Sequence, residues 1–415
     1  MDSALKQLKV PDLKRILADA AVAAPSRATK ADLVARILDS PAAQAVYRAQ
    51  YRPDADPPAE PQPPPAPAPA PEPAPPPAPA AAPAPSPPKA RHAGHATVDH
   101  AVHSLPGQIR QKLESTPSRD PDAISNLLVD VVAAFDDAIA QDFFRIVPDR
   151  QTLEQLSNEQ LRTLVDGIQA SPDNDAIIKR VMHGTTALIS LLDPSRQNLW
   201  VASLGDCQAA LGQKDKLGEW TTSFLSSFHN GCDEAEVQRI RREHPGESEC
   251  VHNDRVLGAI AVTRALGDHE FKFHPVFTDH ILARTNPGFK FFATTYQDFL
   301  ARIHTPPYLS NRPDVQHVNL TDRDQYQEIL LIMCSDGLLD LYLDSSPSLS
   351  LKQLPQVWLT ALDTRDTSLD AYNNLSLALL RNALGGKDTE KVSRNITVEM
   401  TSRWMDDTTI LVQKI

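Results

Sequence analysis

Cysteine is scarce in this 415-residue chain, which contains only four. They stand far apart, at Cys207, Cys232, Cys250 and Cys334, and no two of them form a CxxC pair. This scatter fits a disulfide framework or a cysteine zinc site less well than it fits reduced thiols. The pattern is typical of reduced thiols in an intracellular protein.

Long apolar runs are also missing. None approaches the roughly 18 residues that a membrane-spanning helix requires, so we expect no membrane segment. The amino-terminus has no apolar signal core, and its basic residues are mixed with Asp2 and Asp12, which is atypical of a mitochondrial presequence. The net charge of −12 argues against a protein that coats nucleic acid over its whole surface, although it leaves room for a small basic module.

Proline is concentrated in one segment. Of the 36 prolines, 19 lie between Pro53 and Pro88, in a stretch that otherwise consists mainly of alanine. Such a segment has too few apolar side chains to offset chain entropy and favours an extended, polyproline-type spacer. We therefore predict a disordered linker over residues 46–90, between a head, residues 1–45, and a body, residues 91–415.

Two short amphipathic helices are predicted in the head. The first opens at Pro11, which suits a first helical turn, and the second opens after Thr29, a good N-cap with Asp32 completing a capping box. Helices this short are unstable alone, so we expect them to pack on each other. Their apolar faces comprise Leu13, Ile16 and Leu17 in the first and Leu33, Val34, Ile37 and Leu38 in the second.

The head resembles the SAP motif, a helical DNA-binding module. The resemblance rests on residues 8–14 and 29–38 and departs from the motif at Ala24-Pro25-Ser26, where a glycine is usual. It implies weak contact with DNA or RNA phosphates, without sequence readout, and a nuclear location. A plain helical hairpin that binds protein, or nothing, is the alternative. The implied nucleic-acid contacts are Lys9, Lys14, Arg27, Lys30 and Arg36.

Helical and strand patterns are segregated in the body. They do not alternate one for one, which predicts an α+β fold with sheets packed together and helices outside. The predicted helices lie at residues 124–139, 158–168, 233–243, 350–363 and 368–384. The predicted strands are residues 187–192, 199–204, 329–333 and 409–412, of which the first two form a hairpin around residues 193–198.

Aspartates stand at the ends of the predicted strands. Asp206, Asp336 and Asp340 follow strands, and Asp406 precedes one. Buried carboxylates are costly unless they are paired or bind a metal, and Mg²⁺ or Mn²⁺ prefers oxygen ligands. Taken singly, an Asp-Gly after a strand is more often a turn than a ligand. Convergence of several would indicate a divalent-metal hydrolase.

Five segments, taken in order, resemble the protein phosphatase 2C family of metal-dependent serine/threonine phosphatases. Phe228-His229-Asn230 and Arg264-Ala265-Leu266-Gly267-Asp268 make the pyruvate dehydrogenase phosphatase branch the nearest likeness within that family. The resemblance runs from about residue 91 to 415 and implies a PPM-type fold, an antiparallel β-sandwich flanked by helices, with phosphoprotein substrates. The five segments are residues 183–187, 201–206, 255–268, 334–340 and 406–412.

The resemblance also implies a mechanism. Two Mg²⁺ or Mn²⁺ ions would share a bridging water and lower its pKa, so that hydroxide attacks phosphorus without a covalent phosphoenzyme. By position, Asp336 and Asp406 match ligands of the second metal, and Asp206 matches a ligand of a peripheral third metal. Asp340 would not bind a metal itself and would support the residues that do.

The family's Asp-Gly-His motif is absent from the sequence. In the family its aspartate bridges both metals and its histidine acts as general acid. Ala90-Arg91-His92 can be laid over the motif, which makes His92 the candidate catalytic histidine and puts Ala90 in the aspartate's place. Because alanine has no ligand atom, we expect weak or absent catalysis and a fold that lacks its first strands. The alternative for His92 is a solvent-exposed linker histidine.

Three interpretations follow from these patterns. One is a phosphatase tethered to chromatin or nuclear RNA by the head, and another is a non-catalytic pseudophosphatase that binds a phosphoprotein. A third is a mitochondrial matrix enzyme like pyruvate dehydrogenase phosphatase, whose amino-terminus has been joined to an unrelated piece by the gene prediction. The first interpretation implies a nuclear location and the third implies the mitochondrial matrix, with the cytoplasm as a further alternative.

Overall fold

The computed structural model describes residues 5, 13–14, 16–17, 20, 30–40, 42–44, 47, 95–286, 288, 295–346, 348–365, 374–397 and 405–415. Contacts divide the chain into two units, Met1–Pro85 and Ser86–Ile415. The two units are described separately below.

The described part of the head centres on helix α1, Lys30–Asp39. Leu33, Val34 and Ile37 of this helix are buried in one cluster with Leu13, Ile16 and Leu17. The two predicted apolar faces are therefore in contact. Three of the predicted phosphate contacts, Lys14, Lys30 and Arg36, are exposed, while Lys9, Arg27 and the predicted cap Thr29 lie outside the described residues.

Five helices precede the first described strand of the body. Side-chain caps fix where several of them begin: Asp120 accepts a hydrogen bond from the Ala123 N–H, and Ser157 and Gln160 form a capping box. The predicted helices 124–139 and 158–168 lie within the second and fourth of these helices. The five are α2, His95–Ser115; α3, Pro121–Ile146; α4, Arg150–Gln155; α5, Asn158–Gln169; and α6, Pro172–Met182.

Nine described strands form two main antiparallel sheets and one small hairpin. Sheet 1 has the order β1-β2-β7, sheet 2 has the order β4-β3-β8-β9, and β5 pairs only with β6. The predicted hairpin is confirmed as β1 and β2. The strands are β1, Ala187–Leu192; β2, Asn198–Leu204; β3, Gln208–Asp215; β4, Trp220–Phe224; β5, Val251–His252; β6, Arg255–Val256; β7, Asp314–Asn319; β8, Tyr326–Cys334; and β9, Ile410–Lys414.

Side chains alternate between the two faces of each strand, and this builds a sandwich of four layers: helices, sheet 1, sheet 2 and helices. Leu199 and Val201 of β2 share a buried cluster with Leu331 of β8, so they lie between the sheets. The intervening Trp200 of β2 packs with helices α2 to α6, and Ile332 of β8 packs with helices on the outer face of sheet 2. The predicted α+β fold, an antiparallel sandwich flanked by helices, is confirmed.

The remaining helices lie between and after the later strands. Within the predicted helix 368–384, the described helix begins at Leu375 after the N-cap Asn374, and residues 366–373 lie outside the described residues. No helix within the described ranges is both long and apolar enough to cross a membrane. These helices are α7, Glu234–Glu243; α8, Pro275–His280; α9, Tyr296–Arg302; α10, Asp336–Ser345; α11, Leu354–Asp363; α12, Leu375–Leu384; and α13, Thr389–Thr397.

Leu331 tests the sandwich core. Its side chain is 1% exposed between the sheets, so Leu331→Ala should lower the free energy of unfolding by about 2–5 kcal/mol through lost burial and a cavity. Leu217→Ala is the control, because Leu217 is 89% exposed and should contribute less than about 0.5 kcal/mol. Urea unfolding followed by tryptophan fluorescence measures both. Equal effects would contradict the two-sheet packing.

Candidate functional site

Strand register brings three predicted site residues to one end of sheet 2. Cys334, the last residue of β8, is paired on one side with Gln208 of β3 and on the other with Ile410 of β9. Asp206 stands two residues before Gln208, Asp336 stands two residues after Cys334, and Asp406 stands four residues before Ile410. The connections that carry these aspartates therefore meet at the same edge.

Hydrogen bonds hold the start of α10 against the segment that leads into β9. The Ser335 N–H donates to the Thr409 carbonyl at 3.0 Å, and the Thr409 N–H donates back to Ser335 Oγ at 2.9 Å. A Cβ at Gly337 would lie 2.7 Å from Thr408 Oγ1 and 2.9 Å from the Asp407 carbonyl oxygen. Only glycine permits this approach, which explains the Asp-Gly at the start of the helix.

Asp206 occupies a buried turn between β2 and β3. The preceding Gly205 has φ +103°, a conformation that favours glycine, and Asp206 itself is 7% exposed. Burial, and then the negative charge of Asp336, raise the pKa of Asp206 to about 6, while a hydrogen bond from Asn230 Nδ2 at 3.0 Å opposes the rise. Asp206 thus combines a near-neutral pKa with the Asp336 carboxylate as its neighbour.

The pKa of Asp340 responds to the charges of Asp336 and Asp406. It lies one helical turn after Asp336 on α10, on the same face. Loss of hydration, followed by the charges of Asp336, Asp344 and Asp406, raises the pKa of Asp340. We call Asp206, Asp336, Asp340 and Asp406 the acidic cluster, because their connections share one edge of sheet 2 and their charges affect one another.

The donor chemistry of the acidic cluster suits Mg²⁺ or Mn²⁺, which bind carboxylate oxygens. The negative charges of these carboxylates repel one another, and a bound cation would neutralise them. However, among the described residues no group of three or more Asp, Glu, His or Cys side chains is arranged to hold a metal ion. His92 and Ala90 lie outside the described residues, so the role of His92 stays a prediction.

A chain of polar contacts, partly buried, supports the Asp206 turn. The Gly205 N–H donates to His229 Nδ1 at 3.1 Å, so His229 Nε2 carries the proton that it donates to Asp314 Oδ2 at 3.1 Å. Arg264 then bridges Asp314 at 2.8 Å and Glu236 at 2.7 Å. The hydrogen bond from His229, together with Arg264, holds the pKa of Asp314 far below its usual range.

Sequence reasoning missed this chain of contacts. It named His229 and Arg264 only as parts of the family resemblance, and it gave Glu236 and Asp314 no role. His229 and Asp314 are 85 residues apart in the sequence, and Arg264 and Glu236 are 28 apart. No local sequence pattern reports such pairs.

The His183-Gly184 and Gly267-Asp268 motifs lie in direct contact with each other. Thr185 and Leu266 exchange two backbone hydrogen bonds at 2.9 Å, and a Cβ at Gly184 would lie 1.6 Å from Asp268 Oδ2. Burial raises the pKa of Asp268 to about 7, against the opposing charge of Lys272. These motif residues therefore tie the segment between α6 and β1 to residues 266–268.

A model of the family described as "Protein phosphatase 2C" matches residues 145–346. The chain is 31% identical over 208 residues to the mitochondrial pyruvate dehydrogenase (acetyl-transferring) phosphatase 1 of Saccharomyces cerevisiae, covering 50% of this chain and 33% of the relative. It is 37% identical over 162 residues to the human mitochondrial phosphatase 2 of the same enzyme, covering 38% and 29%. A protein phosphatase 2C homolog of Schizosaccharomyces pombe is 25% identical over 304 residues, covering 67% and 62%.

These findings place a protein phosphatase 2C match on the sheets and helices that carry Asp206, Asp336 and Asp340. The chain spans about a third of the length of the yeast and human mitochondrial relatives. The resemblance to this family is thus supported for residues 145–346. The SAP-like interpretation of the head and the nuclear location receive no support and stay predictions.

The raised pKa of Asp206 predicts a pH-dependent stability. A carboxyl whose pKa is about 6 in the folded protein and about 3.9 in the unfolded chain contributes stability below pH 4 and loses it as the pH rises through 6. Asp206→Asn stays neutral, so in metal-free buffer its advantage over the natural protein should grow from near zero at pH 4 to about 1–3 kcal/mol at pH 7.5.

Chemical unfolding at several pH values measures this difference. Asp324→Asn, which removes an exposed carboxylate elsewhere, is the control and should show little pH-dependent difference from the natural protein. A constant difference between Asp206→Asn and the natural protein from pH 4 to 7.5 would contradict the raised pKa.

Proposed function

We propose that the body is a protein serine/threonine phosphatase domain of the protein phosphatase 2C family. It recognises proteins that carry phosphoserine or phosphothreonine, and with the sequence as it stands it hydrolyses them weakly or not at all. The convergence of Asp206, Asp336, Asp340 and Asp406 at one end of sheet 2 carries the proposal. The family match over residues 145–346 gives that acidic cluster its chemical interpretation.

Mg²⁺ or Mn²⁺ is the proposed cofactor of the family site. Asp336 and Asp406 are the proposed ligands, Asp206 is a ligand of a peripheral ion, and Asp340 orients the others. Two cations a few Å apart repel each other strongly unless a shared negative charge lies between them. By the resemblance that charge belongs at position 90, where this chain has alanine. We therefore propose incomplete metal binding as the cause of weak catalysis.

Hydrolysis of a phosphothreonine peptide by the full chain, with and without Mn²⁺, tests the proposal. We expect turnover near background for the natural sequence. The Ala90→Asp/Arg91→Gly variant should increase Mn²⁺-dependent turnover by about tenfold or more, because it restores the bridging carboxylate. Adding Asp336→Asn to that variant should abolish the gain, and adding Asp324→Asn should leave it unchanged.

Mn²⁺ binding, followed by electron paramagnetic resonance, separates metal binding from catalysis in the same four proteins. Efficient Mn²⁺-dependent turnover by the natural sequence would show that other ligands complete the site, and would contradict the proposed weak catalysis. Absence of Mn²⁺ binding and turnover in every folded variant would contradict the phosphatase assignment itself.

A second candidate is a mitochondrial phosphatase that acts on a phosphorylated dehydrogenase complex. The two mitochondrial pyruvate dehydrogenase phosphatases, at 31% and 37% identity, favour it over the 25% match to the general homolog. Localisation of the tagged full chain in cells tests it, since matrix import is required. Exclusive nuclear fluorescence would instead favour a nucleic-acid role for the head.

For the head we propose weak, non-specific contact with DNA or RNA. The exposed positions of Lys14, Lys30 and Arg36 support it. Binding of a labelled DNA duplex by the full chain should weaken steeply with salt and weaken further in a Lys14→Ala/Arg36→Ala variant. Salt-independent binding, or no binding at low salt, would contradict the phosphate contacts and favour the alternative that the head is a plain helical hairpin.

A further inference from the structure

Three carboxyl side chains are buried around one lysine where helix α3 meets residues 265–272. Asp136 of α3, Asp268 and Glu270 are all buried, and the side chain of Lys272 is 7% exposed. We call these four residues the buried carboxyl cluster. It contains no member of the acidic cluster, and the proposed hydrolysis does not use it.

Lys272 is committed to one of the three carboxyls. Its Nζ donates to Asp136 Oδ2 at 2.7 Å, and the Gly267 N–H donates to Asp136 Oδ1 at 2.7 Å. Against the effect of burial, the charge of Lys272 holds the pKa of Asp136 below its usual range. Asp136 and Lys272 therefore form an ion pair, and among the described residues Asp268 and Glu270 have no cation of their own.

Glu270 is the most enclosed member of the buried carboxyl cluster. It is 0% exposed, and neither of its carboxyl oxygens has a hydrogen-bond partner within the described part of the chain. An ionised carboxylate without a donor or a cation costs far more to bury than a neutral carboxylic acid. Burial, and then the charge of Asp268, raise the pKa of Glu270 well above its usual range. Glu270 therefore holds a proton at neutral pH.

The other titratable groups nearby do not supply a second positive charge. Burial lowers the pKa of His269 to about 4, so this imidazole is neutral at neutral pH, and burial also lowers the pKa of His183. The titratable side chains of the surrounding elements have other partners, namely Arg180 of α6 with Asp142 and Tyr308 with Glu247.

The Asp268 carboxyl lies against the segment that leads into β1. A Cβ at Gly184 would lie 1.6 Å from Asp268 Oδ2, and next to this contact Thr185 and Leu266 exchange two backbone hydrogen bonds at 2.9 Å. Burial raises the pKa of Asp268 to about 7, so this carboxyl ionises near neutral pH. Loss of protons from Asp268 and Glu270 would therefore place unpaired negative charge against this contact.

We propose that the buried carboxyl cluster is a pH-sensitive lock between residues 183–186 and 264–272. The lock is closed while Asp268 and Glu270 carry their protons, and it opens when both are lost. Thr186, in the locked segment, packs against the Asp206 turn, because its Cγ2 would lie 2.2 Å from a Cβ at Gly205. Opening therefore removes one neighbour of that turn. The lock does not depend on the proposed phosphatase function.

Hydrogen–deuterium exchange of the full chain between pH 5.5 and pH 7 tests the lock. Both carboxyls have a higher pKa in the closed lock than in water, so the lock is most stable in acid and weakens as the pH rises. After correction for the intrinsic exchange rate, opening at Thr185 and Leu266 should increase by more than about tenfold per pH unit, because opening releases two protons. Leu331, in a central strand of sheet 2, is the reference and should exchange more slowly at every pH.

Glu270→Gln and Asp268→Asn keep the shape of each side chain and remove its titration. Each should reduce the rise in opening at Thr185 by about tenfold per pH unit, and Glu270→Met should behave as Glu270→Gln does. Glu219→Gln, which changes an exposed glutamate between β3 and β4, should leave the rise unaltered. Opening that does not vary with pH, the same pH dependence in the natural protein and both Glu270 variants, or exchange at Thr185 as slow as at Leu331 would each overturn the proposal.

Discussion

The hydrogen-bonded register of strand β8 is the constraint on which the candidate site depends. Because Cys334 pairs with Gln208 and with Ile410, the three connections that carry aspartates have no freedom to separate. A slip of one residue would also turn Leu331 from the sandwich interior to the outer face, and every other side chain of the strand with it. Core packing therefore fixes the register of the strands, and that register fixes where the connections that carry the aspartates lie.

The acidic cluster is held together against its own electrostatics. Burial and the charge of Asp336 raise the pKa of Asp206 to about 6, so like charges are close enough to affect one another. What opposes the repulsion is covalent and hydrogen-bonded structure: the Gly205 turn, Asn230, and the chain from His229 through Asp314 and Arg264. Such an arrangement stores unfavourable energy that a cation can relieve, and functional sites commonly do so.

The sequence predicts local structure well where one pattern suffices. Apolar runs on either side of residues 193–198 predict the β1–β2 hairpin, and the Asp-Gly after residues 329–333 marks the end of β8. The resemblance to a family also predicts that Asp206, Asp336 and Asp406 serve one site. Strand pairing brings the connections that carry them to one edge of sheet 2, and their roles as ligands stay a prediction.

Other features could not be predicted because they depend on contacts between distant segments. The His229–Asp314 and Arg264–Glu236 pairs, and the Lys272–Asp136 pair 136 residues apart, exist only once the sheets and helices have packed. The assignment of position 90 to the family's bridging aspartate stays a prediction from the resemblance, because Ala90 lies outside the described residues.

A double-mutant cycle tests most directly whether Asp206 and Asp336 share one site. Free energies of unfolding are measured in metal-free buffer at pH 8 for the natural protein, Asp206→Asn, Asp336→Asn and the double variant. If the two carboxylates repel each other, either single variant relieves the repulsion, and the double variant gains less than the sum of the two by about 0.5–2 kcal/mol. Additivity within about 0.3 kcal/mol, like that expected for Asp206→Asn combined with Asp363→Asn on α11, would show that the two aspartates do not meet and would contradict the acidic cluster.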